Sequence, residues 1–167
     1  EGLEKCLDKA MEYIKSCQVQ HGFFESKEFR GIQTSCGIWP LLRWGKTRSD
    51  QSKKGFEWII ANKANDWPNV DAMEWYFQAN ACFYSTGYGT SKYWREWNKK
   101  FQNIVCDTQN KDGSWCAQKQ VGMTGLALLA YLGHCETTMS EEFGETVFSA
   151  ITYLVNKAMK NKGKLGS

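Results

Sequence analysis

Apolar residues recur at steps of three and four along much of this chain. In the first segment Leu3, Leu7, Ala10, Tyr13 or Ile14, and Cys17 share a face, with Glu4, Lys5, Asp8, Lys9, Glu12 and Lys15 between them. Trp94, Trp97, Phe101, Ile104 and Val105 repeat that stripe, as do Phe143, Val147, Ala150, Ile151 and Leu154. Between such segments lie others that are apolar nearly all round, for example Thr124-Gly125-Leu126-Ala127-Leu128-Leu129-Ala130-Tyr131-Leu132. The pattern predicts amphipathic outer helices over 3–18, 51–64, 91–108 and 141–160. Buried inner helices are predicted near 34–45, 71–86 and 120–132. No segment alternates with period two, so no sheet is expected.

The segments also repeat. Lys9-Ala10-Met11-Glu12-Tyr13-Ile14 has the form of Lys54-Gly55-Phe56-Glu57-Trp58-Ile59, with weaker copies at Ile104-Val105 and Tyr153-Leu154. Aligning Tyr13, Trp58, Ile104 and Tyr153 gives steps of 45, 46 and 49 residues. Helical pairs with such a period stack to bury their inner faces. The inner segments align on the glycines that follow them, Gly45, Gly87 and Gly133. That register matches the small residues Gly37, Ala79 and Gly125 and the large apolar residues Leu41, Phe83 and Leu129, which are expected to be buried alike. Asp50, Ser91 and Ser140 stand where N-caps are expected, and Asp71-Ala72-Met73-Glu74 has the spacing of a capping box. Pro40 implies that the first inner helix is kinked or begins just before it.

A turn motif follows the outer helices. It is complete once, from Gln109 through Gly113 to Trp115, and partial at Gln18, Gly22 and Phe24 and at Trp67. The glycine permits a tight reversal, the glutamine can satisfy a helix-end group, and the indole can lie over its amide. Gln18, Gly22, Trp67, Gln109, Gly113 and Trp115 are therefore read as a structural turn clamp. With Lys9, Ala10, Tyr13 and Ile14, the motif resembles the QW repeat of squalene and oxidosqualene cyclases, and next the helical-pair repeat of protein prenyltransferase β subunits. Tyr93-Trp94-Arg95-Glu96-Trp97-Asn98 and Thr124 to Gly133 look like uncharacterised bacterial squalene-cyclase-like repeat proteins. The likeness covers nearly the whole chain, although Lys63 and Ala158 replace the glutamine, and Phe24 and Leu165 the tryptophan. It implies an α/α toroid of terpenoid-cyclase type, here a partial ring of about seven helices forming one repeat domain over 1–167, with inner helices lining a cavity.

The resemblance does not bring its chemistry with it. Class II cyclases use an aspartate in a D-x-D-D motif, prenyltransferases hold zinc with Asp, Cys and His, and thioester domains need Cys-Gly-Glu-Gln. The chain has no D-x-D-D; its histidines, His21 and His134, have no Asp-x-Cys companion, and Cys36-Gly37-Ile38-Trp39 lacks the thioester Glu and Gln. His134-Cys135 offers only two adjacent ligands. Asp71 and Glu74 could form an acid–base pair, but a helix cap needs the same spacing. Cys36, Gln78 and Thr124 share a register position in the three inner segments and suggest a polar girdle, with satisfied core polarity as the competing reading. No catalytic residue, metal site or cofactor is assigned; Cys36, Asp71, Glu74, Gln78 and Thr124 are the cavity-lining candidates.

Composition narrows the partners. With 167 residues, 42% of them apolar, the chain can bury about two-thirds of its unfolded surface. The net charge of +3 is spread along the chain, which argues against nucleic acid, and no apolar run reaches the roughly 18 residues of a membrane span. An odd seven cysteines without C-x-x-C lean towards reduced thiols and a soluble, cytoplasmic setting. The chain opens on an outer helix without an inner partner and closes where a further turn begins. It is therefore expected to be part of a longer protein, or to complete its ring by self-association through the C-terminal half. The leading functional expectation is a non-catalytic toroid module binding an apolar ligand, small molecule or protein partner in its concave cavity. The alternatives are a fragment of a terpenoid-cyclase-like or glycan-processing enzyme, and a purely structural repeat.

Overall fold

The amphipathic and apolar segments fold as seven helices in a computed structural model, which describes residues 2–24, 29–43, 49–62 and 71–165. They are α1 (Gly2–Ser16), α2 (Arg30–Arg43), α3 (Asp50–Asn62), α4 (Ala72–Phe83), α5 (Lys92–Asp107), α6 (Gln120–Gly133) and α7 (Gly144–Lys160). Among the described residues there is no strand, only one isolated bridge between Gln18 and Phe24. All seven cysteines are free thiols. No helix among the described residues is long and apolar enough to cross a membrane. Gly45 and Trp67 lie outside the described residues.

Contacts gather into two compact units. The first holds α1 to α4 and α5 as far as Phe101; the second runs from Gln102 onward. In the first, α2 packs on α4 and α3, and less extensively on α1. Its Ile38 and Leu41 are wholly buried, with Phe56 and Ile59 of α3 equally enclosed. Close approach of α2 and α3 depends on Gly55, where a Cβ would fall 2.4 Å from Ile38 Cδ1. Trp75 of α4 meets Phe101 and Trp97 of α5 edge to face, at 5.1 and 6.2 Å between centroids. In the second unit α6 packs on α7, burying Ala127, Leu128 and Tyr131 from α6 and Val147, Ala150 and Tyr153 from α7.

Several expectations are corrected. Leu41 is fully buried, Phe83 is half-buried, and Leu129 is 64% exposed. The reason is register: Thr34 Oγ1 accepts from the Phe24 amide and Thr124 Oγ1 from the Trp115 amide, which makes Thr34 the counterpart of Thr124. Leu41 then corresponds to buried Tyr131, and Ile38 to buried Leu128, whereas alignment on the following glycines slips by two residues. On α1, Met11 is the buried residue while Leu3 and Tyr13 face out. Pro40 neither starts nor closely follows the start of α2, which begins at Arg30.

The caps also differ in part. Ser91 Oγ accepts from the Trp94 amide as expected. In α3 the cap is Ser49, whose Oγ accepts from the Ser52 amide, and Asp50 is the first helical residue. Ser140 Oγ accepts from the Thr137 amide, so it closes the turn before α7 instead of capping the helix. Asp71 caps α4, its Oδ1 accepting from the amides of Met73 and Glu74 at 2.8 and 3.1 Å.

Candidate functional site

The turn after α1 and the turn after α5 are built alike. Gln18 Nε2 donates to the Gly22 carbonyl and to the Gln51 carbonyl in α3, both at 2.8 Å. Gln109 Nε2 donates to the Gly113 carbonyl at 3.1 Å and to the Thr146 carbonyl in α7 at 2.9 Å. Each glutamine thus fastens its own turn to the first turn of the helix two elements on. Gly22 and Gly113 have φ of +91° and +87°, in the left-handed region that glycine enters without a Cβ penalty. Trp115 is fully buried, and its indole N–H donates to the Val105 carbonyl of α5 at 2.8 Å. Phe24, its counterpart, is buried without that donor.

On α4 the candidate polar residues form a chain of bonds. Gln78 Nε2 donates to Glu74 Oε1 at 2.6 Å, and Gln78 Oε1 accepts from the Trp97 indole of α5 at 3.1 Å. Gln78 is fully buried, and both ends of its amide are satisfied. Glu74 does not reach back to complete a capping box; its carboxyl rests against α2 where Gly31 lacks a side chain, so that a Cβ there would fall 2.1 Å away. Burial, and then the charge of Asp71, hold the Glu74 carboxyl above its ordinary range, against the opposing hydrogen bond from Gln78. Thr124, in the second unit, is fully buried and bonded to the Trp115 amide. Asp71 is exposed and serves as a cap.

Cys36 has a different setting. It lines a cleft between α2 and α4 of about 180 Å³, with Trp39, Pro40, Tyr76, Phe77 and Asn80. Burial pushes the Cys36 thiol pKa up, so the wall it contributes is uncharged. Asn80 Nδ2 donates to the Tyr76 carbonyl at 2.7 Å, which fixes its side chain along α4. The sequence singles out Cys36 but not the aromatics beside it. A signal was present: Trp75, Tyr76 and Phe77 are consecutive on one helix, and a single face cannot bury all three.

A second, wider depression of about 490 Å³ lies at Asn110, Lys111, Asp112, Cys116, Ala117 and Gln120. Its Asn110 and Asp112 side chains are bonded within the turn. Asp112 Oδ1 accepts from the amide and hydroxyl of Ser114, and Asn110 Nδ2 donates to Ser114 Oγ and the Cys116 carbonyl. The Ser114 hydroxyl holds the Asp112 carboxyl below its ordinary range. Among the described residues no three His, Cys, Asp or Glu side chains are grouped to hold a metal ion. The chain matches no protein-family model, no curated protein and no solved structure.

Proposed function

We propose that this chain is a helical-repeat module of the squalene-cyclase and prenyltransferase type, part of an α/α toroid, which binds a ligand or partner without transforming it. The observation that carries the reading is the cleft between α2 and α4, walled by Trp39, Pro40, Tyr76 and Phe77. An apolar concavity with few polar groups is the usual form of a small-molecule site. The use of Asp71, Gln78 and Thr124 in caps and buried bonds supports binding over acid–base catalysis by those residues.

The test is chemical-shift mapping of the labelled protein against a set of small apolar compounds. Binding in this cleft should shift the amides of Cys36, Trp39, Tyr76, Phe77 and Asn80 as a group. Shifts scattered over the chain, or none at millimolar compound, would overturn the reading.

A further inference from the structure

A cation stands on one of the rings that wall the α2–α4 cleft. Arg43 ends α2, and its guanidinium carbon lies 5.7 Å from the centroid of Trp39 and 5.2 Å from that of Tyr84. The two rings meet edge to face at 5.4 Å, so the guanidinium stands over an aromatic corner, one side of which is also a wall of the cleft. A guanidinium held by cation–π attraction to two rings keeps N–H groups available for an anion. Arg43 is exposed, and among the described residues the ion pairs are Lys53 with Asp50 and His134 with Glu136. The Glu74 carboxyl rests at Gly31, twelve residues back and so about 18 Å away along α2.

We propose that this cleft binds a small apolar monocarboxylate, its ring or short alkyl body between Trp39, Pro40, Tyr76 and Phe77 and its carboxylate on Arg43. The proposal rests on the binding reading above and adds the class of ligand. Size sets the body: an apolar cavity of roughly 150 Å³ accepts benzene, so about 180 Å³ takes a phenyl ring with a short chain. Charge sets the head group. A guanidinium pairs with a carboxylate through two parallel N–H bonds, and one cation balances one anion. A cationic ligand would be repelled by Arg43, and a dianion would bring uncompensated charge to apolar walls. The un-ionised Cys36 thiol adds no competing charge.

The experiment is calorimetric titration of the whole chain with phenylpropionate and with its neutral amide. The acid should bind about five- to tenfold more tightly than the amide, the discrimination expected of one partly exposed charged pair. Arg43→Gln should abolish that preference while amide binding remains. Tyr76→Ser should weaken both ligands, and because Tyr76 is 64% exposed this change tests the wall without emptying the core. Equal binding of acid and amide by the parent chain would overturn the carboxylate assignment and leave the binding reading standing. Binding of neither would overturn both. Acid binding that survives Tyr76→Ser and Trp39→Ala, with helicity intact by circular dichroism, would place the anion elsewhere and also overturn it.

Discussion

Gly113 shows at the scale of one residue how the repeat is enforced. A Cβ there would fall 2.2 Å from the Ser149 carbonyl oxygen of α7, and at Gly22 the corresponding distance is 2.3 Å to the Lys54 carbonyl oxygen of α3. Both obstacles are backbone and cannot swing aside. Gly113→Ala should therefore destabilise by about 2 kcal/mol or more, from left-handed strain together with the collision. Gly122 in α6 has open space where its Cβ would stand, so Gly122→Ala should stabilise by about 0.5 to 1 kcal/mol. Urea denaturation of the two variants measures the contrast, and a neutral Gly113→Ala would mean that its turn does not rest on α7. The sequence marked Gly22 and Gly113 as turn glycines. It could not show the close approach, because the obstructing group is a main-chain carbonyl that leaves no trace in residue type.

At the scale of elements, α2 and α4 are joined by a carboxyl held against a helix. The Glu74 pKa is raised, so the folded state holds this proton more tightly than the unfolded chain does. Its stabilising contribution is complete below the unfolded pKa and is lost as pH rises through the folded one. Glu74→Gln cannot ionise yet keeps an acceptor for Gln78 Nε2. Relative to the parent, the variant should become progressively more stable as pH rises through and beyond the ordinary carboxylate range. Urea midpoints across that range decide the matter; a constant difference between the two proteins would refute the linkage. The order of the helices was legible from periodicity, with ends within a few residues for most among the described residues; the burial expected all round α6 was not, for Leu126, Leu129 and Leu132 are exposed. The register of α6 against α2 was not. The glycines that follow the segments do not fix it; the threonine bonds of Thr34 and Thr124 reveal which positions correspond.

Over the whole molecule, apolar residues remain in the open on both terminal helices and on α6. Leu3 and Tyr13 are exposed on α1, Leu126, Leu129 and Leu132 on α6, and Phe148, Val155 and Met159 on α7. Leu129→Lys and Met159→Lys should each leave stability within about 0.5 kcal/mol, the range of a surface site. Each should also lower the binding of an apolar dye. A loss above about 2 kcal/mol in urea would show that these side chains are covered in solution. The all-helical character was legible here, since no period of two occurs anywhere. The cleft was not legible, because its walls depend on how α2 meets α4; the expected girdle of Cys36, Gln78 and Thr124 instead has Gln78 and Thr124 buried in bonds. The paired clamps carry a further consequence, for mutational tolerance. Each clamp needs a glutamine to donate, yet it is received by carbonyls, which every residue possesses; the two receivers, Gln51 and Thr146, are unlike. Saturation mutagenesis should therefore find positions 18 and 109 intolerant and positions 51 and 146 permissive. One half of each joint would stay visible as a motif while the other drifts out of recognition.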